Sequence, residues 1–255
     1  MLKWAMIGLV LCFVVLVCVG YAKRASWIED KIATLSAPAS LMYAADNAAL
    51  PPKGSKPRVV LIGDSRIAQW PGAAWPGSLE IINRGIGGET VAQLAQRFNA
   101  DAIALKPDVI VIQAGVNDLV AASLMETEKS RDVARKTTET LRQLAGQGAA
   151  AGRRVLIATI IAPAKPDFIR RPVWSGSVSD LVAGVNADLK ETRWPDGASV
   201  IDLSSALVSE DKKTLADEFR TDTLHLNTAG YRRLTELLMP RLQSALDTEL
   251  RNPTK

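Results

Sequence analysis

Five short apolar runs, rich in Val and Ile and each closed by small or polar residues, limit the folds open to this chain more than any other feature. The first is Arg58-Val59-Val60-Leu61-Ile62, and the others cover 79–82, 108–113, 154–161 and 199–203. Runs this short and β-branched, without polar alternation, read as strands buried on both faces. Helical patterns separate them, near Val91 to Leu105, Lys129 to Ala151, Val178 to Thr192 and Thr228 to Leu250, with Gly152 ending the second and Asn227-Thr228 placed to cap the last. Such alternation implies a parallel sheet with helices on both sides, and ligands of such sheets bind at the carboxyl ends of the strands.

The residues just past each strand are therefore the place to look for chemistry. The first strand ends in Gly63-Asp64-Ser65, the second runs into Asn83-Arg84-Gly85-Ile86-Gly87-Gly88-Glu89-Thr90, and the third into Ala114-Gly115-Val116-Asn117-Asp118. Near the C-terminus, His225 is the only histidine of the chain and comes three residues after Asp222. Any imidazole-based proton transfer must use it, and a carboxylate stands close enough in sequence to orient it. Taken singly, each motif also has an ordinary structural reading: a turn at Gly63-Asp64-Ser65, a turn glycine at Gly88, an Asx turn or helix cap at Asn117, a cap at Asp222. A dinucleotide site at Gly85-Ile86-Gly87-Gly88 is excluded, because G-x-G-x-x-G needs glycine where Thr90 stands.

Together and in this order, Gly-Asp-Ser, Asn-x-Gly-x-x-Gly, Gly-x-Asn-Asp and Asp-x-x-His resemble the SGNH (GDSL-type) hydrolase family, over about Arg58 to Ala245. The resemblance implies a flavodoxin-like three-layer α/β/α fold with a five-stranded parallel sheet. It also implies a serine-dependent ester hydrolase that needs no cofactor and no metal. Ser65 would be the nucleophile, His225 the general base and then acid, and Asp222 the group that fixes the histidine tautomer. The backbone N–H groups of Ser65 and Gly88 and the side-chain amide of Asn117 would form the oxyanion hole. Two positions depart from the family's usual pattern: Arg66 replaces an aliphatic residue after the serine, and Glu89 stands where Asp often comes after the oxyanion glycine.

Substrate contacts are expected on the same edge. The stretch 162–174 after the fourth strand is basic and carries Phe168 and Trp174, so Trp174 is a candidate to stack on a sugar and Arg170 or Arg171 to meet an anionic group. Trp70 and Trp75 could do likewise, and Arg66 could set a cation beside the nucleophile; packing into the core is the competing reading for the tryptophans, and a surface ion pair for Arg66. The expected activity is removal of an acetyl or short acyl group from a cell-envelope carbohydrate. An O-acetyltransferase, a lysophospholipase or thioesterase, and a glycan-binding protein without turnover are the alternatives, since the triad specifies acyl transfer and the loops specify the substrate. The expected partner is thus an acylated small molecule, glycan or lipid.

The N-terminus bears on location. From Trp4 to Ala22 the chain carries no charge, with Lys3 before and Lys23-Arg24 after. As a helix this run is close to the roughly 30 Å of a bilayer core. Its length favours an uncleaved single-pass anchor of the inner membrane over a secretory signal cleaved near Gly20-Tyr21-Ala22. Lys23, Arg24 and Lys31 favour a cytoplasmic domain by charge, whereas the plan of short tail, apolar segment and soluble domain favours a periplasmic one, which is the orientation expected of this chain. Both cysteines, Cys12 and Cys18, lie within the apolar run, which suits an oxidising compartment. The expected division is an anchor at 1–24, a juxtamembrane helix and Pro-rich linker at 25–57 holding the domain off the bilayer, and a hydrolase domain at 58–255. A net charge of +4 without a basic stripe interleaved with aromatics gives no support for nucleic-acid binding.

Overall fold

A computed structural model of the chain describes residues 2–168, 171 and 174–251. Five parallel strands form one sheet in the order β2-β1-β3-β4-β5: β1 Arg58–Gly63, β2 Glu80–Gly85, β3 Val109–Gln113, β4 Arg154–Ala158 and β5 Ala198–Ile201. This is the flavodoxin-like order, whose reversal lies between β1 and β3. In-register pairs such as Gly63 with Gly85 and Gly63 with Gln113 bring three strand ends side by side.

The apolar runs behave as a doubly covered sheet requires. Val60, Ile62, Ile110, Ile112, Val155 and Ile157 point to one face, under helices α4 (Val91–Asp101), α5 (Val116–Ala122), α6 (Thr127–Ala150) and α7 (Ser177–Glu191). Val59, Leu61, Val109, Val111, Leu156 and Ala158 point to the other, under α3 (Ser65–Ala68) and α8 (Thr228–Arg251). Each fully buried side chain of this size contributes about 1.5–3 kcal/mol, so both faces are needed to hold the sheet.

Two boundaries differ from the sequence expectation for a physical reason. The run 154–161 leaves the sheet after Ala158, because β5 ends at Ile201 and offers no further ladder partner. The chain beyond is satisfied by side chains instead: Asn186 of α7 accepts from the Ile160 N–H and donates to the Ile160 carbonyl, both at 2.7 Å. Likewise α4 stops at Asp101, and a 3₁₀ turn, Ile103–Leu105, completes the expected helix before left-handed Lys106.

Helix α1, Leu2–Ala33, carries a stretch long and apolar enough to cross a membrane, the candidate span Leu9–Ser36 having a mean hydropathy of 1.8; a signal sequence near the N-terminus meets the same criterion. The Pro-rich segment after it lies against the domain. A 3₁₀ turn, Thr34–Ser36, contacts α4 and α5, the Pro38 carbonyl accepts from Gln93, and a short helix α2, Ala44–Ala48, packs on α4. Tyr43 Oη donates to the Gly85 carbonyl at 2.6 Å, with the Arg84 guanidinium 4.7 Å from its ring centre. Lys53 pairs with Asp108, and Arg58 donates to the Pro51 carbonyl. Prolines interrupt regular structure here, but polar anchors every few residues turn 34–57 into a strap bound along the domain.

Candidate active site

Ser65 is placed by the tight turn at the end of β1. A Cβ at Gly63 would lie 1.9 Å from the Gln113 carbonyl, so only glycine lets β1 and β3 approach closely enough for the chain to turn there. Asp64 then caps α3, accepting from the Arg66 N–H at 2.9 Å, and Ser65 opens the helix half-buried.

The histidine arrives from a loop that closes on itself. Arg220 pairs with Leu226, the Thr221 N–H donates to the His225 carbonyl at 2.8 Å, and Asn227 caps α8 by accepting from the Gly230 N–H. Within this loop Asp222 Oδ1 accepts from the N–H groups of Leu224 and His225 at 2.7 and 2.9 Å, the turn an i, i+3 carboxylate needs to reach the ring. Asp222 Oδ2 lies 2.8 Å from His225 Nδ1, and His225 Nε2 lies 3.0 Å from Ser65 Oγ. With Nδ1 protonated, His225 donates to Asp222 and Ser65 donates to His225. Partial burial opposes ionisation of Asp222, yet the hydrogen bonds from the His225 ring and the two N–H groups hold its carboxyl down to about 2.

The oxyanion-hole candidates lie on the two neighbouring strand ends. The loop after β2 is tied to β1, its Ile86 N–H donating to the Gly63 carbonyl at 2.9 Å, and Gly88 takes φ +77°, open to glycine and costly for other residues. Asn117, in the first turn of α5, donates through Nδ2 to the Glu89 carbonyl at 3.0 Å, joining the β2 and β3 loops. Behind it Asp118 accepts from the Val91 N–H at the start of α4; burial pushes this carboxyl up to about 7 against that hydrogen bond.

Glu89 is not a surface variant of the usual Asp. At 4% exposure it forms a buried ion pair with Arg97 of α4, which also holds Asp101 at 2.9 Å and the Arg84 carbonyl at 2.8 Å. Removing one partner of such a pair costs about 3–5 kcal/mol, so the network stiffens the floor under Gly88.

Two expected substrate contacts are corrected. Arg66 is 1% exposed and turned inward: its Nε donates to the Leu224 carbonyl at 2.9 Å and its Nη1 to the Ile161 carbonyl. It therefore ties the Ser65 turn to the histidine loop and to the segment after β4, and Tyr231 Oη of α8 donates back to the Arg66 carbonyl at 3.0 Å. A guanidinium, unlike the aliphatic residue expected there, can satisfy carbonyls that leave regular structure. Trp70 is 4% exposed, donates through Nε1 to Thr235 at 3.0 Å and stacks between Trp75 and Tyr231; it is a core residue because α8 covers this face. Trp174 is half-buried against the α4–α7 core, and Arg171 is exposed, with Nε near the Pro166 carbonyl. Arg170 lies outside the described residues.

Comparison with known proteins agrees with this architecture. The GDSL-like lipase/acylhydrolase family profile matches residues 60–233. The chain belongs to that family. Among solved structures, a GDSL-like lipase from Bacteroides thetaiotaomicron is similar at 26% identity and a TM-score of 0.65, over 80% of this chain and 97% of that one. A catalytic mutant of an acetylxylan esterase from Geobacillus stearothermophilus shares the fold at 20% identity and a TM-score of 0.51, over 74% of this chain and 95% of that one. An acetylxylan esterase sequence from the same organism is 44% identical over 41 residues, a match that spans 16% of this chain and 19% of that enzyme. The family is one of lipases and acylhydrolases.

Proposed function

We propose that this chain is a membrane-anchored serine esterase that removes acetyl or short acyl groups from a cell-envelope carbohydrate. The observation that carries the chemistry is the unbroken hydrogen-bonded chain from Ser65 Oγ through His225 to Asp222, at 3.0 and 2.8 Å. As Ser65 Oγ attacks the ester carbonyl carbon, its proton passes to His225 Nε2, and Asp222, ionised across the neutral range, stabilises the imidazolium. The carbonyl oxygen becomes an oxyanion held by the N–H groups of Ser65 and Gly88 and by the Asn117 amide, which has a second hydrogen beside the one given to Glu89. His225 then protonates the leaving alcohol oxygen, the C–O ester bond breaks, and water repeats the sequence to release the acid from the acyl-serine.

The carbohydrate and the acetyl group rest on the named acetylxylan esterases among the similar proteins. Residues 1–24 serve as the anchor, 25–57 as the juxtamembrane helix and linker, and 58–255 as the hydrolase domain, on the periplasmic side of the inner membrane.

The test uses the full chain in detergent with p-nitrophenyl acetate, acetylated xylooligosaccharide and a serine-directed phosphonate. Hydrolysis and labelling that Ser65→Ala abolishes are expected. An unlabelled, inactive wild-type protein with a native melting transition would overturn the enzyme assignment, and hydrolysis of p-nitrophenyl acetate without acetyl release from the glycan would overturn the substrate.

A further inference from the structure

Outside α1, the large apolar side chains exposed among the described residues are Leu41, Met42 and Phe168, at 83%, 61% and 83% exposure. They are not scattered. Leu41 and Met42 immediately precede Tyr43, whose hydroxyl is bound to the Gly85 carbonyl at the carboxyl end of β2. Phe168 stands in the loop that leaves the carboxyl end of β4. In the order β2-β1-β3-β4 the strand bearing Ser65 lies between them, so these tips flank the serine along one sheet edge, over three strand spacings or about 14 Å.

Helix α1 meets the domain at that same edge. Its C-terminal part contacts α5, the 3₁₀ turn at Thr34–Ser36 contacts α4 and α5, and Trp27 packs on the core that those helices cover. Both α4 and α5 begin at the carboxyl edge, α5 carrying Asn117 in its first turn. The uncharged run of α1 ends at Ala22. At about 1.5 Å per residue, Trp27 lies only about 6 Å along the helix from Lys23, and Ala33 about 15 Å. A domain gripped at that height cannot stand clear of the membrane.

We propose that the carboxyl edge of the sheet is docked on the bilayer that holds α1, with Leu41, Met42 and Phe168 in the interfacial layer and Ser65 between them. The acylated carbohydrate reaching Ser65 is then one carried on a membrane-resident amphiphile, with soluble glycan esters serving only as model substrates. This rests on α1 being an anchor and, for the substrate, on the esterase reading. Exposed apolar side chains cost little when they partition into the interface, and two contacts beside an anchor fix an orientation that one helix cannot.

The full chain, with Cys12→Ser and Cys18→Ser, is reconstituted in phosphatidylcholine and phosphatidylglycerol vesicles and spin-labelled singly at Leu41→Cys, Phe168→Cys or Ser55→Cys. Ser55 is exposed just before β1, at the opposite edge. Labels at 41 and 168 are expected to collide with membrane-dissolved oxygen and be shielded from an aqueous nickel chelate, and the label at 55 to show the reverse. Nickel access at 41 and 168 equal to that at 55 would overturn the docking, and alkaline carbonate extraction reports separately whether α1 is inserted. A Leu41→Ser, Met42→Ser, Phe168→Ser variant should keep its rate on soluble p-nitrophenyl acetate and lose on the order of tenfold on a long-chain p-nitrophenyl ester presented in vesicles. Equal rates on the vesicle ester before and after substitution would also refute it. Shielded labels on a protein that hydrolyses neither ester would uphold the docking and remove the esterase reading.

Discussion

Two loops on the same sheet edge are built in opposite ways. The loop at 220–227 closes on itself through the Arg220–Leu226 bridge and the Asp222 turn, and Arg66 holds it from below at the Leu224 carbonyl. The segment after β4 is held at Ala164, whose N–H donates to the Thr223 carbonyl at 2.8 Å, and it exposes Phe168 and Arg171 to solvent. In the proposed mechanism the first positions the reacting atoms, where an error of an ångström is costly, and the second meets what must be bound. Precision at this edge comes from hydrogen bonds that cross between loops.

The sharpest way to break that contrast is to delete the imidazole. His225→Ala should lower kcat roughly 10⁴- to 10⁶-fold with an unchanged thermal transition, since no second histidine exists to take its place; a smaller loss measured on p-nitrophenyl acetate would dissolve the proposed triad. Asn117→Ala should come next, with a loss of about 10²- to 10³-fold in kcat at nearly constant KM, the pattern of a donor engaged only in the transition state. Arg66→Met tests the cross-loop tie itself. Removing a guanidinium that satisfies two buried carbonyls should cost about 1–3 kcal/mol in denaturant unfolding, together with a fall in kcat greater than the rise in KM; unfolding unchanged in midpoint would show the tie to be dispensable.

A pH measurement sharpens the rigid side further. The Asp118 carboxyl ionises at about 7 in the folded chain against 3.8 when unfolded, so its stabilising contribution is complete below about 4 and is lost as pH rises through 7. Asp118→Asn should therefore flatten the fall of Tm between pH 5 and 8, by several degrees at the alkaline end, and parallel curves would refute the assignment. The smallest effect belongs to the variable loop: Trp174→Ala should change KM for a glycan ester a few-fold while leaving kcat on p-nitrophenyl acetate alone, because one lost contact in an open site weakens ground-state binding only modestly.

Much of this architecture is legible in the residues alone. The β-branched runs announce their strands, and the capping pattern announces the long helices to within a few residues, because burial on both faces and helix periodicity leave local marks. Local sequence also marks the candidate site, since Ser65, Gly88 and Asn117 each come just after a strand. Three things leave no such mark. Arg66 and Trp70 sit beside Ser65 in sequence and read as substrate contacts, but their surroundings come from α8 and the histidine loop more than 150 residues away. The short helix α5 begins after a glycine and has the look of a loop. The strap at 34–57 has the composition of a spacer, and its partners on α4 lie about fifty residues downstream.

The sequence by itself determined the layer architecture, the strand ends at which chemistry could sit and the one imidazole available for it, because these depend on periodicity, turn chemistry and residue type. Only the tertiary structure decided that Asp222 reaches His225 and His225 reaches Ser65, that Arg66 is a buried tie and that the strap lies on the domain. Those outcomes depend on distances across the sheet edge, and a distance between residues 160 positions apart is a property of how the strands are ordered, which no local pattern encodes.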